Sequence, residues 1–183
     1  MTTSDVNSPH DGSQDTRYTE AASEYGAALE RLARAYEADA DRRRDLLQEI
    51  HLALWRSFAA WQQQCSLRTW VYRVAHNTAA SYVIRERRGR SHELLSVDDL
   101  ETAPDPVAPE VAAGEREALD RLLALVQTLK PIDRQVILSY LEGLDAASIS
   151  EITGLSAVNV ATKIHRIKNV LARKFHQGVQ HAE

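Results

Sequence analysis

The amino-acid sequence predicts an all-α protein of two small helical domains joined by an acidic, proline-containing linker, the second ending in a helix-turn-helix. Three observations carry that expectation. Ala, Leu, Arg and Glu dominate long segments whose apolar residues recur every three or four positions. Aromatic residues make up only 6% of the chain and contribute few strand-like runs. The helical period then breaks from Ser91 to about Ala113, where Pro104, Pro106 and Pro109 alternate with acids.

Taken in order, residues 1–18 are rich in Ser, Thr, Asp and Asn and read as a disordered tail. A first helical domain is expected over 19–90. Tyr25, Leu29, Leu32 and Tyr36, spaced four, three and four apart, form the apolar stripe of its first helix. A second helix starts near Asp41 and buries Leu46, Leu47, Ile50, Leu54 and Phe58, leaving Asp45, Gln48, Glu49 and Leu52 on its other side. A loop follows around Trp61, beside three glutamines. The third helix, beginning near Ser66 and stopping at Gly89, places Val71, Val74, Ala75, Thr78 and Tyr82 on a core face and Arg73, His76, Asn77, Ala80, Ile84 and Arg87 opposite.

The linker is expected over 91–114 and a second domain over 115–178, with 179–183 as a tail. Leu119, Leu122, Leu123 and Val126 make one amphipathic helix ended by Lys130-Pro131; Val136, Ile137, Tyr140 and Leu141 make the next, ended by Gly143. A short helix, a tight turn at Gly154-Leu155-Ser156 and a long helix capped by Ser156 then have the arrangement of a helix-turn-helix. Val160, Ile164, Ile167, Leu171 and Phe175 fall on the inner face of the long helix. Asn159, Thr162, Lys163, His165 and Arg166 look outward or flank it, where they can reach bases and phosphates.

The net charge of −4 hides a segregated distribution. Ten basic residues stand against three acidic ones over 42–90, and one against nine over 91–120. From Arg68 to Arg90 there are six arginines and one acid, Glu86, which points to a polyanion. A composition of 44% hydrophobic and 26% charged residues supplies enough apolar material for real cores. The single Cys65 allows no internal disulfide, as expected in a reducing cytoplasm. No basic-then-apolar start and no apolar run of membrane-spanning length stand out, so export and membrane insertion are not expected. Neither a phosphate-cradling glycine loop, nor Cys and His at zinc spacing, nor a nucleophile with a base is found. Catalytic residues, metals and cofactors are therefore not expected.

DLLQEIHLALW at 45–55, RTWVYRVAHNTAASYVIRERR at 68–88, an acidic linker and a helix-turn-helix, in this order over about residues 20–178, resemble one family. They are similar to the bacterial RNA polymerase sigma factors of the extracytoplasmic-function group of the sigma-70 family. The resemblance implies roles at matching positions. Asp45, Gln48, Glu49, Leu52 and Trp55 would form the surface that docks on core RNA polymerase. Trp61, Arg68, Arg73, Asn77, Arg87 and Arg88 would melt and read the promoter −10 element, and Ser156, Asn159, Thr162, Lys163, His165 and Arg166 the −35 element as duplex. The linker would thread near the polymerase active site. Core polymerase and promoter DNA are the implied partners, and members of the group are commonly held by an anti-sigma protein.

These roles are physically apt. Extruding a base costs a few kcal/mol and stacking it on an aromatic ring returns roughly 1–3 kcal/mol, so Trp61 beside a basic helix suits an unpaired strand. A major groove accepts one helix. The function expected is promoter recognition, DNA opening and transcription initiation without catalysis. The other reading, a two-module helix-turn-helix regulator, would bind duplex through 145–175 independently of polymerase and use its N-terminal helices for dimerisation or protein contact.

Overall fold

The computed structural model describes residues 9–87, 94–102 and 115–180, with side chains over 13–86, 94–102 and 116–175. Among them are eight helices: α1 (Pro9–Tyr36), α2 (Ala40–Ser57), α3 (Leu67–Arg87), α4 (Val97–Thr102), α5 (Glu115–Thr128), α6 (Pro131–Leu141), α7 (Ala146–Thr153) and α8 (Ala157–Gln180). One parallel bridge, Leu95 to Leu129, is the extended pairing among the described residues.

Short polar side chains set several boundaries. Asp39 caps α2 by accepting from the Asp41 and Arg42 amides at 3.1 and 3.0 Å. Ser66 accepts from the Thr69 amide at 3.1 Å and starts α3. Asp145 caps α7 through the Ser148 amide at 2.8 Å, and Gly154, at φ +75°, closes it with a hydrogen bond to the Ser150 carbonyl. Ser156 then accepts from the Asn159 amide at 3.3 Å, so the turn and cap expected from the sequence produce the α7–α8 helix-turn-helix.

Leu29, Leu32 and Tyr36 of α1, Leu46, Ile50 and Leu54 of α2, and Val71, Ala75 and Tyr82 of α3 are buried. In the C-terminal half Val126, Val136, Ile137, Ile149, Ile152, Val160 and Ile167 are buried as well. Each Val, Leu or Ile among them contributes roughly 1.5–3 kcal/mol of transfer free energy. The buried residues form one continuous cluster across both halves, not two separate cores. Three residues expected in apolar stripes, Leu119, Tyr140 and Leu141, are exposed.

Three expected boundaries are corrected. The segment read as a disordered tail to residue 18 is helical from Pro9, because its polar side chains find partners on α2 and the following loop. Gln14 donates to the Trp55 carbonyl at 2.7 Å, Asp15 accepts from the Trp55 indole at 2.7 Å, and Tyr18 pairs with His51 Nδ1 at 3.1 Å. The acidic linker is ordered over 94–102, where Leu95 pairs with the chain entering α6 and Val97 and Leu100 are buried. At the C-terminus α8 runs on to Gln180, into the segment read as a tail. The remaining linker residues 91–93 and 103–114, residues 1–8 and 181–183, Arg88 and the Gly89 stop lie outside the described residues.

Candidate nucleic-acid and polymerase interface

α2 presents its outer side as expected. Asp45 and Gln48 are exposed, Glu49 and Trp55 are half-buried, and Leu52 stands 46% exposed, an apolar residue in the middle of a polar strip. Glu49 accepts both hydrogen bonds of Arg85 at 2.7 and 3.0 Å, tying α2 to the C-terminal part of α3. The Trp55 indole is committed to Asp15 of the α1 extension.

The loop after α2 holds Trp61 half-buried, edge-on to Phe58 with ring centroids 5.7 Å apart. The Arg17 guanidinium lies 5.5 Å from its ring centre and donates to the Trp61 carbonyl at 3.2 Å. Gln63 turns the loop through a positive φ of 58°, a strained conformation for a residue with a side chain. One face of Trp61 is therefore occupied by a cation of the same chain.

α3 is covered on two sides. Arg68 donates to the Glu142 carbonyl, and Arg73 to the Glu151 carbonyl at 2.8 Å, so both arginines are held by the C-terminal half. Asn77 is exposed, and the Arg87 side chain lies outside the described ones. His76, expected on the basic outer face, is instead fully buried. Its Nδ1 pairs with the Tyr36 hydroxyl at 3.0 Å and its Nε2 with the Ser139 hydroxyl at 3.1 Å, joining α1, α3 and α6. Burial pushes the imidazole down to about 3, so the ring is neutral.

Glu142, just past α6, is the hub of this contact. It accepts both hydrogen bonds of the Arg31 guanidinium at 2.8 and 2.7 Å and one from the Tyr72 hydroxyl at 3.1 Å. The Arg31 guanidinium holds its carboxyl below the usual carboxylate range. Burial, aided by Glu142, pushes the Tyr72 hydroxyl up to about 12. Arg134 is buried entirely, stacks over Tyr36 at 5.1 Å and donates to the Tyr36 carbonyl at 3.4 Å. Glu142 and Arg134 were not singled out from the sequence. The signal available for Arg134 was the charged pair Asp133-Arg134 inside the apolar stretch IDRQVIL, whereas Glu142 lies outside it.

Ser156 at the cap of α8 and Asn159, Thr162 and His165 along it are exposed, and so is Val158 at 79%. Lys163 turns towards α6 and pairs with the buried Asp133 at 2.6 Å. Arg166 pairs with Asp98 and, at 3.0 Å, with Glu101 of α4. The structure thus gathers four of the six expected duplex-reading residues on one open face and holds the two cationic ones by carboxylates. Among the described residues there is no group of three His, Cys, Asp or Glu able to hold a metal ion, and no helix long and apolar enough to cross a membrane.

Two helical modules in contact, the second a helix-turn-helix with an exposed leading face, define an all-α class of protein of helix-turn-helix architecture. Residues 22–89 match the family model of sigma-70 region 2 and residues 119–171 that of sigma-70 region 4. The chain is 30% identical over 149 residues to the ECF RNA polymerase sigma factor SigG of Mycobacterium tuberculosis, covering 69% of this chain and 40% of that protein. It is 27% identical over 140 residues to the ECF RNA polymerase sigma-E factor of Haemophilus influenzae, covering 71% and 72%. The fold resembles that of CnrH, solved in complex with the cytosolic domain of CnrY, with a TM-score of 0.63 at 18% identity over 90% of each chain. The chain belongs to the sigma-70 family of RNA polymerase sigma factors, within its extracytoplasmic-function group. It spans well under half the length of its mycobacterial relative.

Proposed function

We propose that the protein binds core RNA polymerase and directs promoter recognition, DNA opening and transcription initiation, in the cytoplasm and without catalysis of its own. The observation that carries this reading is the pairing, on one chain, of a region 2 module bearing an exposed polar strip with one apolar member and a region 4 module bearing an open reading helix. Asp45, Gln48, Glu49, Leu52 and Trp55 form the polymerase-docking strip. Trp61, Arg68, Arg73, Asn77, Arg87 and Arg88 hold the melted −10 strand, and Ser156, Asn159, Thr162, Lys163, His165 and Arg166 read the −35 duplex. Arg suits both tasks, because its planar fork grips phosphates and base edges alike.

In the present conformation Arg68 and Arg73 are engaged by the second module, so −10 reading requires the modules to part. An anti-sigma protein is a natural antagonist, since a partner that keeps the modules together would deny access to α3. Co-sedimentation with core polymerase, with promoter duplex added or left out, tests the assignment. The sigma reading predicts polymerase association without DNA and promoter binding that depends on polymerase. Stable sequence-specific duplex binding without polymerase, and no association with it, would favour the two-module regulator.

A further inference from the structure

We infer that α4 is an acidic cover for the duplex-reading helix, its Asp98 and Glu101 occupying Arg166 and Arg173 in place of DNA phosphates until a duplex displaces them. This rests on α8 being the duplex reader, as proposed above. The segment would otherwise be a spacer, but it is built into the C-terminal module. The Leu95 amide donates to the Thr128 carbonyl at 2.9 Å and the Lys130 amide to the Leu95 carbonyl at 2.7 Å. Ser96 and Asp99 cap the helix reciprocally, the Ser96 amide donating to Asp99 Oδ2 at 3.0 Å and the Asp99 amide to Ser96 Oγ at 3.2 Å. The Val97 amide donates to Asp133 at 3.1 Å, the same carboxylate that holds Lys163.

Spacing decides what this short helix presents. Val97 and Leu100, three residues apart, are 3% and 4% exposed and seat α4 on the core. Asp98 and Glu101, also three apart, point to α8 and meet Arg166, while Glu101 reaches Arg173 at 3.2 Å, two turns further along the same α8 face. The two guanidinium groups and two carboxylates are each between 38% and 61% exposed. Burial of Val97 and Leu100 therefore fixes the helix, and the ion pairs are wet, screened by salt and exchangeable. Hydrogen bonds from Arg166 and Arg173 hold the Glu101 carboxyl below its ordinary range, so it stays ionised as a competitor for phosphate. Arg166 and Arg173 thus reach a duplex only by giving up these carboxylates.

The test uses the full chain and a fluorescein-labelled duplex of arbitrary sequence, because phosphate contacts do not depend on sequence. Asp98→Asn with Glu101→Gln, isosteric changes at exposed positions, should tighten duplex binding about tenfold at low ionic strength and much less at high salt. Glu20→Gln with Glu24→Gln, which removes the same charge from the exposed side of α1, should change it far less. Equal tightening by both pairs would reduce the effect to overall charge and overturn the cover. Arg166→Ala separates the two ideas: if it weakens duplex binding while the α4 variant does nothing, the cover is wrong and the reading helix stands. If Arg166→Ala also does nothing, the reading assignment falls and the cover with it. Carbon-detected NMR of the Glu101 carboxyl supplies a readout on α4 itself, and saturating duplex should shift it; an unmoved signal under a duplex that Arg166 demonstrably binds would overturn the cover.

Discussion

His76 illustrates how one side chain can be assigned to the wrong surface. Its position opposite Val71, Ala75 and Tyr82 suggests solvent and nucleic acid, yet Tyr36 and Ser139 close over it from two other helices. A folded ring that stays neutral down to about 3, against an ordinary value of 6.5, makes falling pH favour the unfolded chain, which takes up the proton first. The contribution is full above 6.5 and is lost progressively towards 3, the loss amounting to about 2 kcal/mol by pH 5. Urea denaturation at pH 7 and pH 5 should show a stability difference smaller by about 2 kcal/mol in His76→Gln than in the parent, and equal differences would contradict it. Asp133 is the second decisive residue, 1% exposed and shared between Lys163 and the Val97 amide. Asp133→Ala leaves an ammonium and an amide without their acceptor and should cost roughly 3 kcal/mol by denaturant titration, whereas a loss below about 0.5 kcal/mol would show the pair to be incidental.

At the scale of elements, local chemistry was legible and tertiary cover was not. Asp145, Gly154 and Ser156 write the helix-turn-helix into the chain because capping and a left-handed turn depend on neighbours only a few residues away. α3 shows the opposite case. Its periodic face was readable, but the second covered side comes from α6 and α7, more than sixty residues on, and carries Tyr72 and His76. The α1 extension and α4 escaped for the same reason: segments rich in polar residues look disordered until their partners are known. Glu142 makes the inter-module contact testable. Glu142→Ala removes the acceptor of Arg31 and Tyr72 together and should lower stability by about 1–2 kcal/mol, while Arg31→Ala, at a 60% exposed side chain, should lower it by no more than about 0.5 kcal/mol. The reverse ranking, seen as denaturation midpoints, would deny the hub role. Asp45→Ala with Gln48→Ala on α2 should weaken capture by core polymerase severalfold without moving the unfolding transition, because both side chains are exposed. Undiminished capture would remove that strip from the docking surface.

For the whole molecule, the continuous core and the engaged arginines describe a closed chain in which the proposed −10 and −35 contacts are each partly satisfied internally. Arg17 lies over Trp61, Glu142 and Glu151 carbonyls hold Arg68 and Arg73, and α4 holds Arg166. Of these, the exposed ion pairs of Arg166 exchange readily for a polyanion, while Arg68 and Arg73 must leave backbone carbonyls; under the proposed function, closure and DNA engagement are alternative uses of one set of residues. The order of modules, read from periodicity and charge, pointed to this use; the way they fold onto each other could not be read, since no local signal encodes it. Promoter-directed initiation by this chain meets its sharpest test in transcription from a randomised promoter library with purified core polymerase and this protein. It predicts protein-dependent transcripts whose templates share two separated upstream elements, the downstream one unpaired in the open complex by permanganate reactivity. Transcripts no more abundant than with core polymerase alone, alongside library members retained by the protein without polymerase, would contradict it.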